Sequence, residues 1–321
     1  MTHHFTFLCQ VRMMDKQTTN ERLDQVAGHL RPIKQLGGPS TGRKLTGKVA
    51  ILTGANAQLG IGRATAYLFA EHGCRAVYIC DVDGGNLEGY VKDLAEKYPE
   101  VEVHARTFDA SNEAAVKSVI DEAIERYGRL DIFFANAGIV GAVTEWGTPK
   151  EMEDITPDDF LRTVKINTLS VFLAIKHASA AMSVTSSSKP HPGGSIVATS
   201  SVAGLRAGAG GYDYSASKAA IVSLIQTTAC SPTIRGKNIR INSINPGLIE
   251  TGMTSPVFEM ARARGTEGKV GQLNPLARAG CADEVARAVT FLASDESSYV
   301  NGQSIAVDGG LSASLPVALR R

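Results

Sequence analysis

No run in the chain approaches the ~18 consecutive apolar residues of a membrane-crossing helix, so no membrane partner is expected. The first residues show no long apolar core of the secretory kind. C-x-x-C pairs are also missing. The five cysteines, Cys9, Cys74, Cys80, Cys230 and Cys281, are odd in number and scattered, which favours reduced thiols and a cytoplasmic setting over a disulfide frame. Neither sign of charge is in excess: a net charge of +1 leaves no electrostatic footprint for nucleic acid. Aromatic residues make up only 6% of the chain, and Trp146 is the single tryptophan. The seven histidines, including the adjacent His3 and His4, show no ligand spacing, so no metal is expected. What is present is globular: 321 residues, 43% hydrophobic and 20% charged, enough for one large α/β domain or two small ones.

Residues 1–45 are rich in His, Thr, Gln and Gly and read as a flexible extension, with a short helix near Glu21–Leu30. From Thr46 a rhythm sets in. Seven short β-rich runs, from "VAILTG" and "AVYICD" to "IRINSINPG" and "QSIAVDGG", alternate with helical patterns such as "EAAVKSVIDEAIERYG". Alternation of this kind predicts βαβ units on a parallel sheet. "SVTSSSKPHPGG", Ser183–Gly194, reads as a polar surface loop before the fifth strand, and residues 311–321 as a tail. Residues 46–310 are therefore expected to form a single domain.

The first strand-to-helix turn is "TGANAQLGIG", Thr53–Gly62. Helix N–H groups and the helix dipole at such a turn attract a pyrophosphate, and glycine lets the backbone come close. By itself the stretch fits a structural turn equally well. "AVYICD" adds to it by ending in Asp81, 19 residues after Gly62, close to the ~20 expected of an acid that binds the adenosine ribose hydroxyls. A carboxylate there repels a 2′-phosphate, and "DVD" brings no Lys or Arg beside it, which favours NAD over NADP. Arg63 and Arg75 lie near enough to keep NADP open.

Tyr214 and Lys218 are four residues apart and share one face if "YSASKAAIVSLIQTT" is a helix; Ser201 lies thirteen residues before Tyr214, at the end of a β-like run. A phenol needs ~4 kcal/mol to bring its pKa from ~10 to ~7, and one positive charge at ~4 Å supplies roughly that much at an effective dielectric of ~20. A serine hydroxyl can hold and polarise the substrate oxygen. Alone, Tyr-x-x-x-Lys is as well explained by an amphipathic surface pair.

Taken together, the glycine turn, Asp81, Asp109 in "TFDAS", "NAG" at Asn136–Gly138, Asn167 in "VKINTLSVF", Ser201, Tyr214, Lys218 and "NPGLIET" at Asn245–Thr251 resemble the short-chain dehydrogenase/reductase family in order and spacing, over about residues 46–310. The resemblance implies a doubly wound Rossmann fold: a mostly parallel seven-stranded sheet with helices on both faces. It implies that Tyr214 is the general acid/base. Lys218 would lower its pKa and bind the nicotinamide ribose, Ser201 orient the substrate oxygen, and Asn167 hold a relay water. An Asn inside an apolar helix pattern costs about 0.7 kcal/mol relative to Ala, which fits a functional reason for Asn167. By the same resemblance Gly54, Gly60, Ile61 and Gly62 meet the pyrophosphate, Asp109 the adenine, and Asn136 ends the fourth strand beside the cofactor. Ile249 and Thr251 would hold the carboxamide and phosphate region. The implied protein is an NAD(P)-dependent alcohol dehydrogenase or ketoreductase, acting on a small molecule and assembling as a homodimer or homotetramer.

Two departures stand out. The family's loop has three residues between its first two glycines, whereas here there are five, Ala55–Leu59, so two extra residues should bulge outward. Pro232 should end the Tyr214 helix by removing a hydrogen bond and crowding the preceding turn. Met253, Val257, Phe258 and Met260 fit either an apolar lid or a helix packed on the core; Trp146 fits a substrate contact or a loop anchor. A mostly apolar secondary alcohol or ketone is the favoured substrate. The alternatives are a catalytically silent NAD-binding sensor or scaffold and a sugar-nucleotide epimerase; the latter is disfavoured because little chain follows the "VDGG" strand.

Overall fold

A computed structural model of the chain describes residues 42–144, 148–266 and 269–314. The proposed helix near Glu21–Leu30, Trp146 and the end of the C-terminal tail lie outside the described residues. Arg43 pairs with Glu100, and Leu45 is fully buried, so the last residues assigned to the extension pack on the domain.

Seven strands form one sheet: β1 (Val49–Thr53), β2 (Ala76–Asp81), β3 (Glu102–Thr107), β4 (Ile132–Ala135), β5 (Gly194–Thr199), β6 (Ile239–Pro246) and β9 (Ser304–Val307). Their order is β3-β2-β1-β4-β5-β6-β9, and every pairing is parallel. Two short strands, β7 (Ile249–Glu250) and β8 (Gly280–Cys281), pair beside it. β1 and β4 are buried along their whole length, as expected where helices cover both faces.

Alternation along each strand sends side chains to two cores. Val49, Ile51 and Phe133 pack with α3 (Glu113–Tyr127), α5 (Ser170–Met182) and α6 (Tyr212–Ala229). Ala50, Leu52, Ile132 and Phe134 pack with α1 (Ile61–Glu71), α2 (Leu87–Lys97) and α8 (Ala282–Ala293). This is the doubly wound arrangement. The chain changes direction between β1 and β4, and a crevice opens there at the carboxyl ends of the strands.

Local chemistry sets the helix ends. Asn112 caps α3 by accepting from the Ala115 N–H at 3.1 Å, and Gly128, at φ 68°, closes it. Thr156 and Asp159 form a capping box at α4 (Pro157–Val164). A π-turn, Lys165–Leu169, joins α4 to α5. α6 stops at Ala229, with Cys230 as its cap, three residues short of Pro232. The Ser183–Gly194 loop is not wholly at the surface: Lys189 is buried, and its ammonium donates to the Leu130 and Met182 carbonyls at 2.6 and 3.3 Å. A polar composition hid a side chain that is buried with its ammonium on two backbone carbonyls.

Candidate active site

The glycine turn is shaped by close contact. Gly54 has φ +70°, and a Cβ there would lie 2.9 Å from Asn136 Nδ2. A Cβ on Gly62 would lie 2.2 Å from the Gly54 carbonyl oxygen, so the start of α1 and the end of β1 touch through bare backbone. Gly60 is the N-cap of α1 and offers no side-chain cap, which leaves the first-turn N–H groups to a ligand. Gly54, Gly60 and Ile61 line a cleft of about 720 Å³, whereas Gly62 serves packing behind it.

The lengthened part of the turn bulges outward at three of its five residues. Ala57, Gln58 and Leu59 are exposed, and the Ala57 carbonyl accepts from the Gly60 N–H at 2.9 Å. Ala55 and Asn56 instead fold inward and are buried. Asn56 has partners to satisfy it there: its N–H donates to Asp81 Oδ2 at 2.8 Å.

Asp81, at the end of β2, lines the cleft and also accepts from the Asp83 N–H at 3.1 Å. Asp109 lines it after β3 and accepts from the Ser111 N–H and hydroxyl, both at 2.8 Å. Asn136 ties three strand ends together. Its Nδ2 donates to the Thr53 and Gly54 carbonyls at 3.2 and 3.1 Å, and its Oδ1 accepts from Thr199 Oγ1 at 2.9 Å.

The other end of the cleft carries the Tyr–Lys pair. α6 is a helix across both residues, so they do share a face, and Lys218 Nζ lies 5.6 Å from the Tyr214 ring centroid. The ammonium donates to the Thr199 carbonyl at 2.9 Å. Burial pulls its pKa down to about 8. Burial likewise pushes the Tyr214 phenol up, and the hydrogen bond with Ser201 acts in the opposite direction. Ser201 is buried at the end of β5 and is held by the Ala203 N–H at 3.2 Å. Ser201, Tyr214 and Lys218 all line the cleft.

Asn167 does not line it. The side chain is fully buried in the π-turn; Oδ1 accepts from the Ile139 N–H at 2.8 Å, and Nδ2 donates to the Ile139 carbonyl and Ser217 Oγ, both at 3.0 Å. It still adjoins the pair: a Cβ on Gly138 would lie 3.0 Å from Asn167 Oδ1 and 3.3 Å from Lys218 Nζ. π-turns interrupt helices most often at functional positions.

Ile249, Thr251 and Met253 close the cleft from the far side, with Ile139, Val140, Arg162 and Ile166 opposite. In α7 (Ser255–Ala263) Phe258 and Ala261 pack inward, whereas Val257 and Met260 are exposed. Several contributors were not anticipated from sequence. Thr199 anchors both Lys218 and Asn136. Asp213, fully buried, accepts from the Ala142 N–H at 2.7 Å and Thr163 Oγ1 at 2.6 Å, holding the loop after β4. Its adjacency to Tyr214 was the available signal.

The chain matches known proteins over most of its length. Residues 54–312 match the family model described as enoyl-(acyl carrier protein) reductase. The 3-oxoacyl-[acyl-carrier-protein] reductase FabG of Thermotoga maritima is 37% identical over 272 residues, covering 84% of this chain and 99% of the relative. The chain belongs to the short-chain dehydrogenase/reductase family. A crystal structure of levodione reductase superposes with a TM-score of 0.73 at 34% identity, covering 84% of this chain and all of the other. A 3-oxoacyl-[acyl-carrier protein] reductase with bound NAD from Brucella melitensis gives 0.71 at 28% identity, over 88% and 98% of the two chains. The protein is thus an oxidoreductase of that family.

Proposed function

We propose that the protein moves a hydride between a nicotinamide cofactor and the carbinol carbon of a secondary alcohol or ketone, with NAD preferred over NADP. The observation that carries this reading is the convergence of Ser201, Tyr214 and Lys218 on one wall of a cleft whose other end is the uncapped start of α1 beside Asp81. The bare-backbone contacts at Gly54 and Gly62 and the open N-terminus of α1 fit a pyrophosphate. Asp81 then faces the adenosine ribose, Asp109 the adenine, and Ile249 and Thr251 the nicotinamide side. The relative with bound NAD supports the same cofactor here.

The nicotinamide, when bound, supplies the carbon that gives or takes the hydride. The chain's own residues handle the proton and the oxygen. In oxidation, Tyr214 Oη takes the proton of the substrate hydroxyl as the hydride leaves the carbinol carbon. In reduction, it returns that proton to the carbonyl oxygen. Ser201 Oγ holds and polarises the same oxygen. The Lys218 charge, 5.6 Å from the Tyr214 ring centroid, favours the phenolate. Asn167 keeps the Ile139 backbone in place beside them and, by this reading, orients a water that links Lys218 to solvent.

Ile139, Val140, Ile166 and Met253 support a mostly apolar substrate, as does the likeness to a levodione reductase. Phe160, Leu161, Leu169 and Phe172 are exposed along α4, the π-turn and α5, which supports assembly with further copies as a homodimer or homotetramer. Among the described residues no helix is long and apolar enough to cross a membrane, and the four described cysteines are free, in keeping with a reducing, cytoplasmic setting. A panel of alcohols and ketones, followed by NADH absorbance with NADPH in parallel, tests the reading. Turnover with NADH on apolar secondary carbonyls supports it. Dinucleotide binding without turnover across the panel would favour a silent binding protein instead.

A further inference from the structure

Ile139 and Val140, in the loop after β4, line the cleft beside Arg162 and Ile166, and two buried side chains hold that loop. Asn167 takes Ile139 by its N–H and its carbonyl. Asp213 takes Ala142, on the far side of Val140. Its Oδ2 accepts from the Ala142 N–H at 2.7 Å and from Thr163 Oγ1 at 2.6 Å. Asp213 is fully buried, does not line the cleft, and stands in the first turn of α6 next to Tyr214. One carboxylate therefore ties the Tyr214 helix to the β4 loop and to α4. The loop meets it as bare backbone: Gly141 has φ +93°, and a Cβ there would lie 2.7 Å from Asp213 Oδ1. Beyond Ala142 the chain doubles back. Val143 pairs with Pro149, the Lys150 N–H donates to the Ala142 carbonyl at 3.1 Å, and Lys150 Nζ pairs with Asp159 Oδ2 at 2.9 Å. A Cβ on Gly211 would lie 3.3 Å from Pro149 Cβ, so the returning leg also rests on the start of α6. Asp213 Oδ1 has no partner of its own among the described residues. A carboxylate is a costly way to fill this space, and positions where such a rule is broken are commonly functional.

We propose that Asp213 is a positioning residue for the substrate: from the first turn of α6 it sets where the Ile139–Val140 wall stands relative to Tyr214, and so how the apolar part of a ketone or alcohol seats. The inference rests on the hydride-transfer reading above. Asp213 acts through the loop and not on the reacting atoms. Its two side-chain bonds go to Ala142 and Thr163, and neither goes to the glycine turn or to Asp81. Its loss is therefore felt by the ketone and not by the dinucleotide.

Steady-state ketone reduction by the full chain, with NADH titration and thermal melting alongside, tests this on wild type, Asp213→Ala, Asp213→Asn and Thr163→Val. Asp213→Ala should raise the KM for the best ketone of the panel about tenfold, lower kcat less than about threefold and leave the Kd for NADH within about twofold of wild type. Asp213→Asn keeps an oxygen for both donors and should hold the KM within about threefold of wild type. Thr163→Val removes one of the two donors and should raise the KM by about two- to fourfold. A role confined to folding would lower the melting temperature and leave the KM of the folded protein unchanged. Should Asp213→Ala not fold, Thr163→Val decides, and a KM at the wild-type level then overturns the proposal. Three results with folded Asp213→Ala also overturn it and leave the hydride-transfer reading intact: a wild-type KM, a loss spread equally over KM, kcat and the Kd for NADH, or an equal impairment in Asp213→Asn. Wild type that reduces no ketone of the panel overturns both.

Discussion

Asn167 holds Ile139 by both backbone groups, accepting from its N–H at 2.8 Å and donating to its carbonyl at 3.0 Å. One buried carboxamide thus fixes the Ile139 backbone next to the segment that adjoins Lys218. Removing it in Asn167→Ala takes the side-chain partner from a half-buried N–H and a half-buried carbonyl, at up to about 1 kcal/mol each. The variant should melt at a lower temperature and turn over more slowly, measured by calorimetry and steady-state rates. Unchanged melting and turnover would mean that Ile139 does not depend on this contact.

Gly62→Ala should abolish dinucleotide binding. The new methyl would sit 2.2 Å from the Gly54 carbonyl, and neither partner is a flexible side chain. The turn must move, and the uncapped start of α1 moves with it. Titration with NAD reads this directly; a Kd within twofold of wild type would contradict the close-packed turn.

The pH dependence follows from two buried groups. Burial takes Lys218 from an ordinary 10.5 down to about 8, so its charge is present below that pH and lost as pH rises through it. The Tyr214 phenol, pushed up by burial, keeps its proton over the same range. Ketone reduction needs a protonated phenol and a charged lysine. Its kcat/KM should be level near neutrality and fall above pH about 8, approaching about tenfold per unit. Stability carries the opposite sign: the unfolded chain keeps the lysine proton up to about 10.5, so this group's penalty on the folded state fades as pH rises from about 8 to 10.5. A kcat/KM level to pH 10 would contradict the assignment.

Much of this was legible because short-range rules govern it. Each of the seven runs from "VAILTG" to "QSIAVDGG" contains a strand of the sheet, since β-branched and apolar residues bounded by turn formers leave few options. Ser201, Tyr214 and Lys218 could be found because helical spacing places two of them on one face and a strand end delivers the third. What was not legible depends on contacts between segments distant in sequence. Lys189 looked like a surface lysine because its shorter carbonyl contact, Leu130, comes from elsewhere in the chain. Which residues of Ala55–Leu59 turn outward could not be read, because Asp83, Asn86 and Tyr90, which draw Asn56 in, belong to the next loop and helix. Asn167 was marked by its cost in a helix, but its hold on Ile139 needed the fold.

The central claim is that Tyr214 is the acid/base of a hydride-transfer reaction, and Tyr214→Phe tests it most directly. The substitution keeps the ring and removes the one oxygen that moves the proton. NADH oxidation by the best ketone of the panel, measured for both proteins alongside NADH binding, should fall by about 10³-fold with the Kd for NADH within a few fold of wild type. Turnover by Tyr214→Phe at the wild-type rate would contradict the account.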